Sequence, residues 1–157
     1  IILTPKSLLR HKLAVSKLAD MGAGTSFHRV LWDEGTVAPD DKISRVILCT
    51  GKVYYDLHEE REKRGLKDVY ILRLEQLYPF PRRAILDALA SYNDPSVTWV
   101  QETPRNMGPW SFVLQRFYDM DVPIRYAGRP ENSSTATGSH SRHLAEQAHL
   151  VEMALGQ

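Results

Sequence analysis

At 157 residues the chain is the size of one ordinary domain, and 43% hydrophobic residues supply enough apolar surface for a core. Twenty Lys and Arg against 19 Asp and Glu leave a formal net charge of +1, which gives no reason to expect nucleic acid or an anionic membrane as a partner. The single cysteine, Cys49, excludes an internal disulfide and suits a reducing compartment, and no stretch approaches the ~20 apolar residues of a bilayer span.

In chain order, Ile1-Ile2-Leu3 reads as the end of a buried strand, which suggests a piece of a longer chain. Thr4 and Pro5 suit the cap and first turn of a helix running through Leu13. Met21–Ser26 reads as a loop, Phe27–Trp32 as a strand and Gly35–Lys42 as a polar loop. Val46–Cys49 is a compact apolar strand that ends at Thr50-Gly51. Lys52–Lys63 follows as a helix with Val53 and Leu57 on its inner side and Gly65 as its stop. Val69–Leu74 is the next strand, and Pro79-Phe80-Pro81 leads to a helix over Arg82–Tyr92. Val97–Val100, a helix over Trp110–Tyr118, a strand over Val122–Tyr126 and a Gly/Ser/Thr/Pro-rich loop complete the middle of the chain. The last helix spans His140–Leu155, with Leu144, Leu150, Val151 and Ala154 as its apolar face. Alternation of apolar strands with amphipathic helices is the βαβ pattern, so the expected fold is one three-layer α/β domain over residues 1–157 with about five mostly parallel strands.

Chemistry gathers where strands give way to helices or loops, the edge at which open α/β sheets bind ligands. Cys49-Thr50-Gly51-Lys52 occupies such a turn, but neither Gly-x-x-x-x-Gly-Lys nor Gly-x-Gly-x-x-Gly is present, so a tight structural turn competes with an anion site. Cys49 inside an apolar strand reads as packing rather than as a nucleophile. His140, His143 and His149, with Glu146 nearby, lack the spacing of a metal site and read as a solvated helix face. The run Glu59–Arg64 reads as a solvated helix surface, with Glu60 and Arg64 paired at i, i+4. Gln101–Gly108 and Tyr126–Pro130 are polar loops at strand ends, and Arg129 is the best candidate there for a carboxylate or phosphate contact. No carboxylate pair, no nucleophile with its base and no metal cluster can be placed from the residues alone.

Several blocks carry a resemblance. Leu3–His11, Leu48–Leu57, Arg73–Pro81, Trp99–Glu102 with Asn106–Gly108, and Tyr126–Arg129 followed by Ala136–Gly138 and His143 come in one order and span most of the chain. They resemble the C-terminal region of the 2-oxoglutarate dehydrogenase family, the thiamine-diphosphate-dependent decarboxylating component. Thr103 and Pro109 depart from the family pattern in one loop. The resemblance implies a transketolase-like C-terminal domain, inactive alone, within an oxidoreductase that decarboxylates 2-oxoglutarate in the tricarboxylic acid cycle. Thiamine diphosphate and Mg²⁺ would be held outside this chain, with no catalytic, cofactor-binding or metal residue in it. It further implies a homodimer, packing on upstream domains of the same polypeptide, and work with a lipoyl-bearing succinyltransferase and dihydrolipoamide dehydrogenase. Lys52, Arg73, Arg105 and Arg129 are the candidates for an anionic effector, and Trp110 and Phe112 for an interface anchor. Bacterial cytoplasm is the expected location, or mitochondrial matrix for a eukaryotic chain. Two other readings stand beside this one: a free-standing interaction or regulatory module, and a small-molecule enzyme built around Cys49.

Overall fold

The computed structural model describes residue 1 and residues 4–156. The run Ile1-Ile2-Leu3 therefore lies mostly outside the described residues, and Ile1 is exposed. Five strands form one sheet: β1 (Val30–Leu31), β2 (Arg45–Cys49), β3 (Val69–Leu74), β4 (Ser96–Gln101) and β5 (Arg125–Gly128). Their order is β1-β3-β2-β4-β5, with β1 antiparallel to β3 and every other pair parallel. Four helices connect or follow them: α1 (Val53–Arg64), α2 (Arg82–Ala90), α3 (Trp110–Tyr118) and α4 (His140–Leu155).

Two apolar clusters explain the layering. Ile47, Cys49, Ile71 and Val100 point to the face covered by Val53 and Leu57 of α1 and Leu150, Val151 and Ala154 of α4. Val46, Leu48, Leu72 and Trp99 point to the other face, covered by Ile85 and Ala88 of α2 and Trp110, Val113 and Phe117 of α3. Alternate residues of one strand thus serve opposite layers, and the inner strands are apolar throughout because both faces are buried. The expected three-layer α/β sandwich is what the chain forms, with β2 at its centre between β3 and β4.

Four details differ from the sequence expectation. Thr4–Leu13 is not a helix; only Lys6–Leu8 makes a single 3-10 turn. Lys6 and Arg10 would face each other as like charges at i, i+4, and no buried residue gives this segment a packed face. The strand expected at Phe27–Trp32 shrinks to Val30–Leu31, and Asp33 just beyond it turns into the interior. The last strand starts at Arg125 rather than Val122, because Pro123 has no N–H to give the ladder. Val122 and Ile124 pack against the α2–α3 side instead. On α4, Leu144 is 54% exposed and lies off the buried stripe.

The run Glu59–Arg64 is not wholly solvated either. Glu60 does meet Arg64 at 2.8 Å on the surface. Arg61, however, continues the Val53–Leu57 face at i+4 and is fully buried. It forms a two-pronged ion pair with Asp33, whose side chain is also fully buried. The Asp33 carboxylate accepts further bonds from the backbone N–H of Ile71 at 2.7 Å and of Gly35 at 2.8 Å. This pin fastens the β1 segment to both β3 and α1.

Candidate functional site at the carboxyl edge of the sheet

The strand order reverses around β2: its successor β3 lies on one side and β4 on the other. In an open α/β sheet the crevice at such a reversal, beyond the carboxyl ends of the strands, is the usual ligand position. Here the turn after β2 and the loop after β4 meet across it. Lys52 Nζ forms an ion pair with Glu102 and lies 4.0 Å from Asp56 of α1. Asp56 in turn accepts a 2.7 Å hydrogen bond from Gln147 of α4. Gly51 has φ +74, a left-handed conformation that favours glycine and lets β2 turn sharply into α1.

Beside it lies a cleft of about 370 Å³ lined by Glu102, Thr103, Arg129, Thr137, His143 and Gln147. Arg129, only 9% exposed, directs Nε to Glu146 at 3.0 Å and donates from Nη2 to the Thr137 hydroxyl at 2.6 Å. Thr137 donates to Glu146 at 2.5 Å, and Arg142 pairs with the same carboxylate at 2.8 Å. The Thr137 hydroxyl, and after it the Arg142 guanidinium, hold the Glu146 carboxyl below the usual carboxylate range. His143 borders the cleft, whereas His140 and His149 are exposed. Among the described residues no group of three His, Cys, Asp or Glu could hold a metal ion.

The four expected cations all reach this edge but in different states. Lys52 and Arg129 are bound to Glu102 and Glu146. Arg73, on β3, sits 3.0 Å from Glu75 and lies over the Tyr54 ring at 4.3 Å. Arg105 is exposed, with its guanidinium 5.6 Å from the centre of the Tyr126 ring. The contact that sequence reasoning proposed for Arg129 is thus made inside the domain, by Glu146.

Gln101, the first residue of the polar loop expected at this strand end, organises that loop, a role that its residue type does not signal. Its buried amide donates to the carbonyls of Met107 at 2.8 Å, Pro104 at 3.1 Å and Thr103 at 3.2 Å. Its Oε1 accepts from the indole of Trp99 at 2.9 Å. One side chain thereby gathers three backbone acceptors of the loop, sharing Pro104 O with the Met107 N–H at 2.9 Å and Thr103 O with the Tyr126 hydroxyl at 3.3 Å. Gly108 passes so close that an added Cβ would lie 2.3 Å from the Thr103 hydroxyl. Asn106 ties the loop to the next one, donating to Asn132 O at 3.0 Å and accepting from Asn132 N at 3.1 Å. Gln101→Leu keeps the volume but strips these donors; the expected cost is about 2–3 kcal/mol, with faster amide exchange confined to residues 102–108. Equilibrium unfolding and hydrogen-exchange mass spectrometry check this, and unchanged exchange in the loop would contradict the assigned role.

Cys49 ends β2 with no exposed surface, and burial pushes its thiol up to about 12. A thiol this buried and protonated is a packing residue of the α1–α4 layer, and both its burial and its raised pKa count against a Cys49-centred enzyme. The folded value lies above the ordinary 9.0 of an exposed thiol, so this group's contribution to stability is full below pH 9 and declines as pH rises toward 12. Native protein at pH 8 is expected to resist iodoacetamide and to take up one label only on unfolding. Stoichiometric labelling of the folded protein, seen by intact mass, would refute the buried assignment.

Comparison with known proteins gives one consistent result. The 2-oxoglutarate dehydrogenase C-terminal family profile matches residues 15–155. The 2-oxoglutarate dehydrogenase E1 components of Brucella ovis and Brucella abortus (strain 2308) are each 51% identical over 99% of this chain. The chain spans 17% of the length of these curated relatives. Among solved structures, a split-gene transketolase (an inactive β4 tetramer) superposes with a TM-score of 0.50 at 14% identity. That match covers 74% of this chain and 40% of the other, a likeness of fold.

Proposed function

The chain belongs to the 2-oxoglutarate dehydrogenase C-terminal family, and from that premise we propose that it serves as the closing domain of a thiamine-diphosphate-dependent 2-oxoglutarate decarboxylating component. The observation that carries this reading is 51% identity sustained over 99% of the chain. The full polypeptide decarboxylates 2-oxoglutarate and passes the succinyl group to a lipoyl-bearing succinyltransferase, which dihydrolipoamide dehydrogenase then serves. Thiamine diphosphate with Mg²⁺ supplies the electron sink for decarboxylation. The carboxylates at this edge are taken by Lys52, Arg129, Arg142 and Thr137, so the residues present do not fit a diphosphate–metal site. The cofactor is held by other parts of the polypeptide.

Within that enzyme the domain is a structural support that packs on the preceding domains and contributes to a homodimer. Trp110 is consumed inside the domain: it is 6% exposed and tilts against Tyr126 at 5.0 Å. Phe112 is half-buried against Phe80. The outer side of α3, with Leu114 and Tyr118 exposed, is the dimer-facing surface that remains. An anionic effector docks at the carboxyl edge, met first by Arg105 and then by Lys52, Arg73 or Arg129 as their carboxylate partners release them. Arg129→Ala in the full chain abolishes the effector response, and an unchanged response removes that assignment. No helix among the described residues is long and apolar enough to cross a membrane, and the location proposed is the bacterial cytoplasm.

The substrate is tested on the full-length chain with thiamine diphosphate and Mg²⁺, by comparing kcat/KM for 2-oxoglutarate and 2-oxoadipate with an artificial electron acceptor. Preference for 2-oxoglutarate is expected; preference for 2-oxoadipate would reassign the enzyme while leaving the domain assignment intact.

A further inference from the structure

The described residues ahead of Val30 behave unlike the rest of the chain. Among the described residues no side chain before Val30 is buried. Leu9, Leu13, Val15, Leu18, Met21 and Phe27 are 44–86% exposed in one continuous arm. Its regular structure is two short 3-10 turns, Lys6–Leu8 and Leu18–Met21. The body of the domain holds it near His11, whose ring lies 4.9 Å from Tyr55 and 3.4 Å from Glu59. The arm is also basic: residues 1–29 carry Lys6, Arg10, Lys12, Lys17 and Arg29 against the single acid Asp20.

An apolar stripe of this extent in water marks a covered surface. The body of this same domain is tethered to the arm at high effective concentration, yet it holds only the stretch around Leu8, His11 and Ala14 and, at the arm's end, the Arg29 carbonyl, which accepts from the N–H groups of Glu75 at 2.9 Å and Gln76 at 3.1 Å. A second copy of that body presents the same surface with no such advantage. The family relatives, by contrast, are about six times longer than the region they share with this chain. Sequence beyond the shared region is tethered to the arm as closely as the body is, and it has a different surface.

Resting on the function proposed above, we propose that residues 9–29 form a docking strap that seats on the preceding part of the same dehydrogenase polypeptide, on an apolar surface rimmed by acidic side chains. The strap's leucines, Met21 and Phe27 supply the buried area. Lys12, Lys17 and Arg29 set register against the acidic rim.

The test uses the full-length enzyme. Hydrogen-exchange mass spectrometry should show amides of residues 9–29 protected at least tenfold over unstructured rates. The triple variant Leu18→Asp, Met21→Asp, Phe27→Asp should raise exchange there at least tenfold and admit trypsin at Lys12 and Lys17. Amides of β2, β4 and α4 should be unmoved, and the oligomer's mass should stay the same. Leu144→Asp, on an exposed site elsewhere, should do none of this. Free exchange of the arm in the unmodified enzyme, an unmoved arm in the variant, or dissociation of the oligomer on substitution (the mark of a second copy as occupant) would each overturn the strap. Turnover of 2-oxoglutarate is read on the same unmodified sample. Turnover with a freely exchanging arm removes the strap alone, whereas a protected arm without turnover supports the strap and removes the substrate reading.

Discussion

Arg61→Ala is expected to lower the unfolding free energy by about 3–5 kcal/mol, enough to unfold a large share of the domain at 37 °C. Removing the guanidinium leaves the Asp33 carboxylate buried, with only the N–H groups of Ile71 and Gly35 to compensate it. The same change frees the carbonyl of Val69, which accepts from Arg61 Nη1 at 3.1 Å. Arg61→Lys offers a point charge where the site is built for a fork, and is expected to recover less than half of the loss. Arg61→Met with Asp33→Asn removes both charges and is expected to be milder than Arg61→Ala alone. Urea unfolding of the four proteins checks the series; a loss under 1 kcal/mol in Arg61→Ala would show that the pin does not hold β1 in place. Gly35 belongs to the same device, because a Cβ there would lie 1.7 Å from Arg61 Nη2.

Trp99→Ala carries the second large effect, about 3–5 kcal/mol. Trp99 has no exposed surface and sits mid-strand in β4, between β2 and β5. Truncation opens a cavity at the centre of the α2–α3 layer and also strands Gln101 Oε1, which loses its indole donor. Trp99→Phe separates the two contributions. It keeps most of the apolar contact and loses the hydrogen bond, for an expected cost of about 1–3 kcal/mol and a loosened 102–108 loop. Equal losses in the two variants would mean that packing contributes little and that the hydrogen bond dominates.

Legibility in the sequence followed the physics of each element. The inner strands and α1, α3 and α4 were plain because apolar runs and a 3.6-residue period are local signals. The arm carries a helical signal without being a helix, because helix propensity around Leu8 and Leu9 says nothing about whether a face exists to bury them. β5 was displaced because its start depends on where Pro123 leaves the ladder, a pairing fact rather than a composition fact. At the site, Lys52, Arg73, Arg105 and Arg129 were placed at the right edge because strand ends define it. That Glu102 and Glu146 already occupy Lys52 and Arg129 is not legible, since Glu102 is 50 residues from Lys52 and Glu146 is 17 from Arg129, whereas Glu75 lies only two residues from Arg73. Arg61 did leave a signal: a charged residue in phase with Val53 and Leu57 needs a buried partner, and Asp33 is that partner.

The function proposed for this domain is support of a 2-oxoglutarate decarboxylating enzyme, with no active site of its own. The most direct measurement is 2-oxoglutarate-dependent reduction of an artificial electron acceptor, with thiamine diphosphate and Mg²⁺ present, by the full-length polypeptide and by the 157-residue domain alone. Turnover by the full polypeptide and none above background by the domain is the expected result. Turnover by the isolated domain, or a full polypeptide inert toward 2-oxoglutarate, would contradict it.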